Sequence, residues 1–478
     1  MPPRRSTRTA TSANYEEAPE SPTKRIKTSE TTHAAVKKKA RKDEKKEKER
    51  KPVAAKDDSK VFPKLLPSST NEGQVFIVGA GDCGQLGLGP DAVSATKLKK
   101  ITDLDDKGVV DIAAGGLHNI VLTRDGKLYS WGCNDQSALG RSGEETEPGL
   151  VEGLDDVKIV QAVCGDSVSA ALTDDGHVYA WGTFRNKNGI YGFRPDIDIQ
   201  KTPYFIPELS KVTHLAAGAD HIVAFTLDRK IYTWGCGECG QLGRRILGRM
   251  EKERALIPKE MTFRAHKRDL LDGATSLTLR TLPAGVTPQS QFVSAHCGGH
   301  QTFLVHESGT VFAFGLNNHG QLGVGDSEEY EAPTPFGELV DNENEEAEVV
   351  FAGFKEVVGS EHHAIALDRD GRVFTFGRND DGQLGTGSAE SVSSPHLLKE
   401  PRNVIHISAN GAFTCAVTED KEFEGNNLWL WGYGEMGQLA NGGEDESTPH
   451  QVELKDRHVY KAVCGGQHTL LLLRPKDA

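Results

Sequence analysis

A bulky residue followed by glycine recurs along this chain at Val78-Gly79, Trp131-Gly132, Trp181-Gly182, Trp234-Gly235, Phe314-Gly315, Phe376-Gly377 and Trp431-Gly432. No other feature narrows the fold as far, because a fixed period of this length is the signature of one supersecondary unit used repeatedly. Five to seven residues after each glycine comes a second mark, such as Gly84-Gln85-Leu86-Gly87 or Gly382-Gln383-Leu384-Gly385. A third precedes the dipeptide: Gly115-Gly116-Leu117-His118, Gly165-Asp166, Gly218-Ala219-Asp220-His221, Gly298-Gly299-His300-Gln301, Gly359-Ser360-Glu361-His362, Asn410-Gly411 and Gly465-Gly466-Gln467-His468. Its first residue lies 17 residues before the dipeptide glycine in four units, 18 in the fifth and 22 in the sixth.

Between the marks each unit reads as short strands joined by turns, as in Ile120-Val121-Leu122-Thr123, Arg124-Asp125-Gly126, Lys127-Leu128-Tyr129-Ser130-Trp131. Asp125-Gly126, Asp175-Gly176 and Asp370-Gly371 predict two-residue hairpins, glycine supplying the positive φ. The segment from 459 to 473 has the third mark and one strand with no aromatic-Gly strand after it, whereas the segment from 75 to 89 starts with that strand and lacks the mark. Each end holds what the other lacks. The expectation is an all-β chain, a seven-bladed β-propeller over residues 71–478, closed by pairing of its N- and C-terminal strands so that no sheet edge stays open. At 478 residues the chain is too long for one ordinary core, and a modular ring resolves that.

Charge divides the chain. Residues 1–60 carry 18 Lys and Arg against 10 Asp and Glu, a net of +8, and the remainder a net of −21. With one aromatic, Tyr15, and few aliphatics, the first part cannot offset its ordering entropy. Residues 1–70 are therefore expected to be a disordered basic tail. Within it Lys24, Arg25, then Lys37, Lys38, Lys39, Arg41 and Lys42 fit a bipartite nuclear import signal or a nucleic-acid-binding arm. No apolar run reaches the roughly 18 residues of a membrane span, so no membrane partner is expected.

Several chemical motifs dissolve on comparison with their own copies. Gly79-Ala80-Gly81-Asp82-Cys83-Gly84 spells a dinucleotide fingerprint, but Gly235 to Gly240 and Gly432 to Gly437 repeat it at the same position and no crossover helix follows. Cys236 and Cys239 could be half a zinc site, but Cys133 and Cys83 occupy the corresponding slots without forming the pair. No metal and no cofactor are expected. His118, His221, His362 and His468 are read as one repeat slot, each tying its blade to the next by a hydrogen bond. Ser167 and Ser360 beside it lack the strained elbow of a nucleophile, so hydrolysis is unsupported.

The repeat, together with Gly165-Asp166, Phe184-Arg185-Asn186-Lys187-Asn188-Gly189 and Gly235-Cys236-Gly237-Glu238-Cys239-Gly240-Gln241-Leu242-Gly243-Arg244, resembles the regulator of chromosome condensation family over roughly residues 71–478. That resemblance implies a nuclear, chromatin-associated guanine nucleotide exchange factor for the small GTPase Ran, which accelerates exchange non-covalently and is no bond-making enzyme. It implies a GTPase-binding set of Asp82, Asp166, Arg185, Asn188, Gly189, Asp220, His362 and His468, with residues 185–192 as an inserted wedge. Where the family often has an acid after Arg185, this chain has Asn186 and Lys187. The interval between Gly235 and Gly315 swells to 80 residues against 50 to 62 elsewhere. Its basic insertion, about 244–270, carries Arg244, Arg245, Arg249, Arg264, Lys267 and Arg268, and by resemblance it meets the nucleosome at the histone acidic patch and DNA. An import receptor on the tail and a monomeric state complete the expectation. The alternative is a chromatin adaptor that uses the propeller only as a scaffold.

Overall fold

The computed structural model describes residues 64–67, 69–244, 246, 250–261, 292–336, 353–420, 425–454 and 457–475. They contain seven four-stranded antiparallel sheets and one two-stranded hairpin. Blades 1 to 7 begin at Val109–Ala114, Ile159–Cys164, Val212–Ala217, Phe292–Cys297, Phe354–Gly359, Val404–Asn410 and Val459–Cys464, and these strands line the axis of the ring.

The second strand of each blade is buried along its length, as in His118–Thr123 and His363–Asp368, except at Glu419, near the end of the longer strand Phe413–Asp420 in blade 6, which is exposed. A strand covered on both faces reads as a continuous apolar run rather than an alternating one, which is how these segments read in the sequence. The core is accordingly not single. Among the described residues it consists of seven clusters, each between successive blades: Val110, Ile120 and Leu122 of blade 1 pack on Ala171 and Trp181 of blade 2, and Ile365 and Val373 of blade 5 on Ile407 and Trp431 of blade 6. One repeat cannot bury its own faces, so the period in the sequence is a packing requirement.

The recurrent glycines serve close approach. Gly132 has φ 108°, and a Cβ there would lie 2.4 Å from the carbonyl oxygen of Leu117. Gly87 is backed by the next blade's tryptophan, with a Cβ position 2.6 Å from Trp131 Nε1, and that nitrogen donates to the carbonyl of Gln85 at 3.0 Å.

Blade 7 is built from both ends of the chain. Gln74–Ala80 pairs with His468–Leu473 from Gln74↔Leu473 to Gly79↔His468, and the sheet order is Ser94–Lys100, Gln74–Ala80, His468–Leu473, Val459–Cys464. The C-terminal segment supplies two strands rather than the one expected, because Val459–Cys464 is the axial strand of its blade. The turns also differ. Leu122 pairs with Leu128, and Gly126 donates to Thr123 O at 2.9 Å, so Arg124-Asp125-Gly126 is a three-residue loop with glycine in the left-handed position. Residues 64–67, assigned to the tail by composition, touch blade 2: Leu65 packs on its core, and its N–H donates to Asp174 O at 2.8 Å. The apolar pair Leu65-Leu66 breaks the polar composition just there.

Candidate functional site

Loops between the first and second strands of all seven blades converge at one end of the axis. Their backbones hand on hydrogen bonds from blade to blade: Asp166 N–H to Ala219 O at 2.8 Å, Ala219 N–H to Gly299 O at 2.9 Å, Gly299 N–H to Ser360 O at 2.9 Å and Gly466 N–H to Gly116 O at 2.9 Å. Ser360 Oγ adds a bond to Gly411 O at 2.6 Å. This rim opens into an axial cavity of ≈ 1710 Å³. Deeper in, one position on each axial strand contributes Asp111, Gln161, His214, Ser294, Glu356, His406 and Lys461.

Two repeat positions give the rim its chemistry. One carries Gly116, Asp166, Ala219, Gly299, Glu361, Gly411 and Gly466; the next carries Leu117, Ser167, Asp220, His300, His362, Ala412 and Gln467. Glycine at 116 leaves room for the acid, since a Cβ there would sit 2.8 Å from Asp166 Oδ1. Asp166 keeps an exposed side chain, yet the surrounding walls exclude enough solvent to raise its carboxyl; His300 and Arg185 pull the other way, and Glu361 pushes with the walls. Asp220 is buried at 8% exposure. Burial pushes its carboxyl up to about 7, against the pull of a hydrogen bond accepted from the Arg185 amide; that bond measures 2.5 Å.

The hairpin Phe184–Asn186 with Gly189–Gly192 leaves blade 2 beside this rim, registered by Arg185↔Ile190 and Asn186↔Gly189. Its turn centres on Lys187 and Asn188, the Asn188 amide donating to Asn186 Oδ1 at 3.0 Å. An asparagine side chain folded back on the chain two residues later is an Asx turn, so Gly189 follows the turn rather than forming its centre. Arg185, Lys187, Asn188 and Ile190 are exposed.

The structure thus brings Asp166, Arg185 and Asp220 to one mouth, with Asp82 exposed on the loop after Gln74–Ala80 at the same end. His362 lies on the rim as well. Its Nε2 is 3.7 Å from Glu361 Oε1, and its ring meets His319 edge-on at 4.9 Å. Two expectations need correction. His362 is not in the slot of His118; His363 is, pairing with Gly377 as His118 pairs with Gly132. The 18-residue interval in that unit was the sign, since counting from Ser360 restores 17. His468 does occupy that slot and is fully buried, its Nε2 2.7 Å from Asn119 Oδ1, so it lies behind the rim and supports the face from within. Sequence reasoning passed over Glu361, Glu238 and His319, although His300 and Glu361 stand in the same register as residues it chose.

The basic insertion also changes meaning. Arg244 Nε reaches Thr233 Oγ1 at 3.2 Å, its Nη2 reaches Thr233 O at 2.9 Å, and its Nη1 donates to Arg254 O. This copies Arg141 in blade 1, whose Nε and Nη2 bind Ser130 O at 3.1 and 2.9 Å. Burial lowers the Arg244 guanidinium to about 10. Arg244 thus fastens its blade as Arg141 does, with all three guanidinium nitrogens bonded within the chain, and the Gly140-Arg141 copy was the sign of that role. Arg245, Arg249, Arg264, Lys267 and Arg268 lie outside the described residues, as do Lys24, Arg25, Lys37, Lys38, Lys39, Arg41 and Lys42. Among the described residues no group of three or more His, Cys, Asp and Glu is arranged to hold a metal. All eight cysteines are free thiols, and burial pushes Cys236 up to about 12.

Residues 74–471 match the RCC1-like domain. The chain is 36% identical over 424 residues to a human protein, "Regulator of chromosome condensation", covering 86% of this chain and 92% of the relative. It is 28% identical over 456 residues to "Guanine nucleotide exchange factor SRM1" of Saccharomyces cerevisiae, covering 83% and 86%. Among solved structures it is similar to Prp20p of Saccharomyces cerevisiae, described with its binding properties to Gsp1p and histones, at a TM-score of 0.71 and 26% identity over 85% of this chain and 92% of that one.

Proposed function

The chain belongs to the regulator of chromosome condensation family, and from that premise we propose that it is a guanine nucleotide exchange factor for the small GTPase Ran, held on chromatin in the nucleus. The observation that carries this reading is the rim itself: Asp166, Asp220 and Glu361 with His300 and His362 at one mouth, flanked by a hairpin that exposes Arg185 and Lys187. Such a face needs no nucleophile, metal or cofactor of its own. Exchange follows if it binds the GTPase more tightly without nucleotide than with it, because by linkage the bound nucleotide is then weakened by the same factor. Carboxylates on a body of net negative charge favour a basic partner surface and speed its approach. The hairpin would press on the phosphate-binding region or its metal surroundings, and the cellular excess of GTP would set the direction of loading.

The name of the yeast relative, an exchange factor, supports the reading, as does the pairing of Prp20p with Gsp1p and histones. Yeast RCC1 (Prp20) has also been crystallised with Kap60, which supports an import receptor on the basic tail of this chain. Nucleosome binding through the tail and the undescribed arginines of the insertion completes the proposal, with one copy of the chain acting alone.

The deciding measurement is release of fluorescent GDP from Ran, followed with increasing amounts of this protein. Acceleration that saturates, and that works with GTP or GDP as the incoming nucleotide, is the expected result. A chromatin adaptor without exchange activity would leave the release rate flat at every concentration, and that result would overturn the proposal.

A further inference from the structure

We infer that the hairpin beside the rim is set in place by the blade that follows it, with Asp220 as its positioning residue rather than a contact residue for the partner. The inference rests on the exchange reading for its consequence and on geometry alone for its mechanism. A two-stranded hairpin is marginal in water by itself. Here it is held at each level by blade 3 or by the insertion behind it. At its base Phe184 is fully buried in one cluster with Ile222 and Trp234 of blade 3, its ring backing Gly235 so closely that a Cβ there would lie 2.9 Å from Phe184 Cδ1. On one strand the Arg185 amide donates to Asp220 Oδ1 at 2.5 Å. Near the turn, Glu238 takes Asn186 Nδ2 at 3.4 Å and the Lys187 amide at 3.5 Å, and its carboxylate lies 3.9 Å from Lys187 Nζ. On the other strand Tyr191 Oη meets Glu251 Oε1 at 3.2 Å, Lys252 Nζ sits 5.7 Å over the Tyr191 ring, and Leu256 packs into the same cluster as Phe184 and Tyr191.

Two further observations separate positioning from contact. At 8% exposure Asp220 offers a partner little surface, and its Oδ1 is already committed to the Arg185 amide. The corresponding positions in the other blades are Leu117, Ser167, His300, His362, Ala412 and Gln467. The blade architecture therefore does not ask for an acid at this position, and one stands only beside the hairpin. Its Oδ1 can accept from the amide whether the acid is ionised or carries a proton on its other oxygen, so the brace does not depend on the charge.

Hydrogen exchange of the amides at 185–191 in the free protein, with GDP release from Ran measured in parallel, tests this. Asp220→Ala should speed exchange at these amides by about 10-fold or more, and Asp220→Asn, whose Oδ1 can still accept, by less than about 3-fold. At saturating Ran, Asp220→Ala should lower the maximal rate of GDP release by about 10-fold with the half-saturating concentration unchanged, and Asp220→Asn should restore most of it. Unaltered hairpin amides in Asp220→Ala, or an Asn variant as defective as Ala, would overturn the assignment, the second by making the charge itself the functional element. If Asp220→Ala does not fold, Glu251→Gln serves instead: faster exchange at 189–192 supports the brace and no change overturns it. Because the amides are read without Ran, a wild-type protein that fails to release GDP would sink the exchange reading and leave the positioning result standing.

Discussion

His468 Nε2 donates to Asn119 Oδ1 at 2.7 Å, across 349 residues of chain. The direction is set by the next link, for Asn119 Nδ2 donates to Gln85 O at 2.9 Å and leaves Oδ1 to accept. The same logic holds for His118 on Ser169, His221 on Thr302 and His363 on Thr414, where each hydroxyl passes its own proton to a turn carbonyl of the histidine's blade: Ala138, Gln241 and Gln383. In all four rings Nδ1 is buried without a hydrogen-bond partner. A second proton would gain nothing there, and burial holds His118 down to about 4 and His221, His363 and His468 down to about 3.

The closing bond should carry measurable energy. His468→Ala removes a buried partner and leaves a cavity, so unfolding in urea should show a loss of about 2–4 kcal/mol. A double-mutant cycle with Asn119→Ala should return a coupling of about 1–2 kcal/mol. A coupling near zero would mean that the paired strands alone close the ring.

The pH dependence of stability has a definite sign. A neutral buried imidazole in the native state and an ordinary one, near 6.5, in the unfolded chain make the unfolded chain the better proton binder between those values. The contribution is complete above about pH 6.5 and is lost as pH falls toward the native values of about 3 to 4. Asp220 and Glu356 oppose this trend, since burial raises both to about 7 and the native state binds their protons first. His363→Gln should flatten the fall in stability below pH 6.5 by up to about 1.4 kcal/mol per pH unit, one proton's worth. Glutamine fits the position, because Gln301 fills it in blade 4. An unchanged slope would show that this imidazole titrates normally when folded.

Neighbouring histidines should separate function from folding. His362→Ala, on the rim, is expected to leave the melting temperature within about 2 °C and to slow GDP release from Ran, whereas His363→Ala should cost about 2–3 kcal/mol of stability. Thermal melts and exchange assays on the same two proteins check this, and the reverse pattern would move the binding face. The pair also shows what the sequence could carry. The repeat, the ring and its closure were legible because packing between blades forces a period on the residues. Register within one mark was not, since two adjacent histidines satisfy the same pattern and only the 18-residue interval distinguishes them. The slot of His118, His221 and His468 was legible as a tie between successive blades, but residue type alone did not separate the buried His468 from the rim positions beside it. The anchors on the hairpin, Glu238 and Glu251, are 52 and 60 residues from their partners Asn186 and Tyr191, and no local pattern connects them.

Arg244 offers a second discrimination. If its guanidinium fastens Thr233 as that of Arg141 fastens Ser130, Arg244→Ala should lower stability by about 2–3 kcal/mol, much as Arg141→Ala does. Nucleosome binding per folded molecule should stay the same, measured by titration at a temperature well below both melting transitions. Loss of nucleosome binding at full stability would return Arg244 to the chromatin surface.

Truncation at three points resolves the roles of the N-terminal segments. Removal of residues 1–60 deletes the +8 arm, so binding to DNA should weaken and lose part of its steep salt dependence, while GDP release from Ran and the melting temperature stay as they were. Cutting on to residue 70 takes away Leu65, which packs on the blade 2 and 3 core and donates to Asp174 O. That cut should cost about 1–2 kcal/mol through lost apolar burial. Cutting through Ala80 removes the strand that pairs on one side with His468–Leu473 and on the other with Ser94–Lys100. The ring then opens, two sheet edges lose their partners, and the chain should aggregate rather than melt reversibly. Light scattering during a slow thermal ramp reads this directly. A soluble, cooperatively folding protein without residues 1–80 would show that the remaining blades hold one another in place without the strand that joins the two ends.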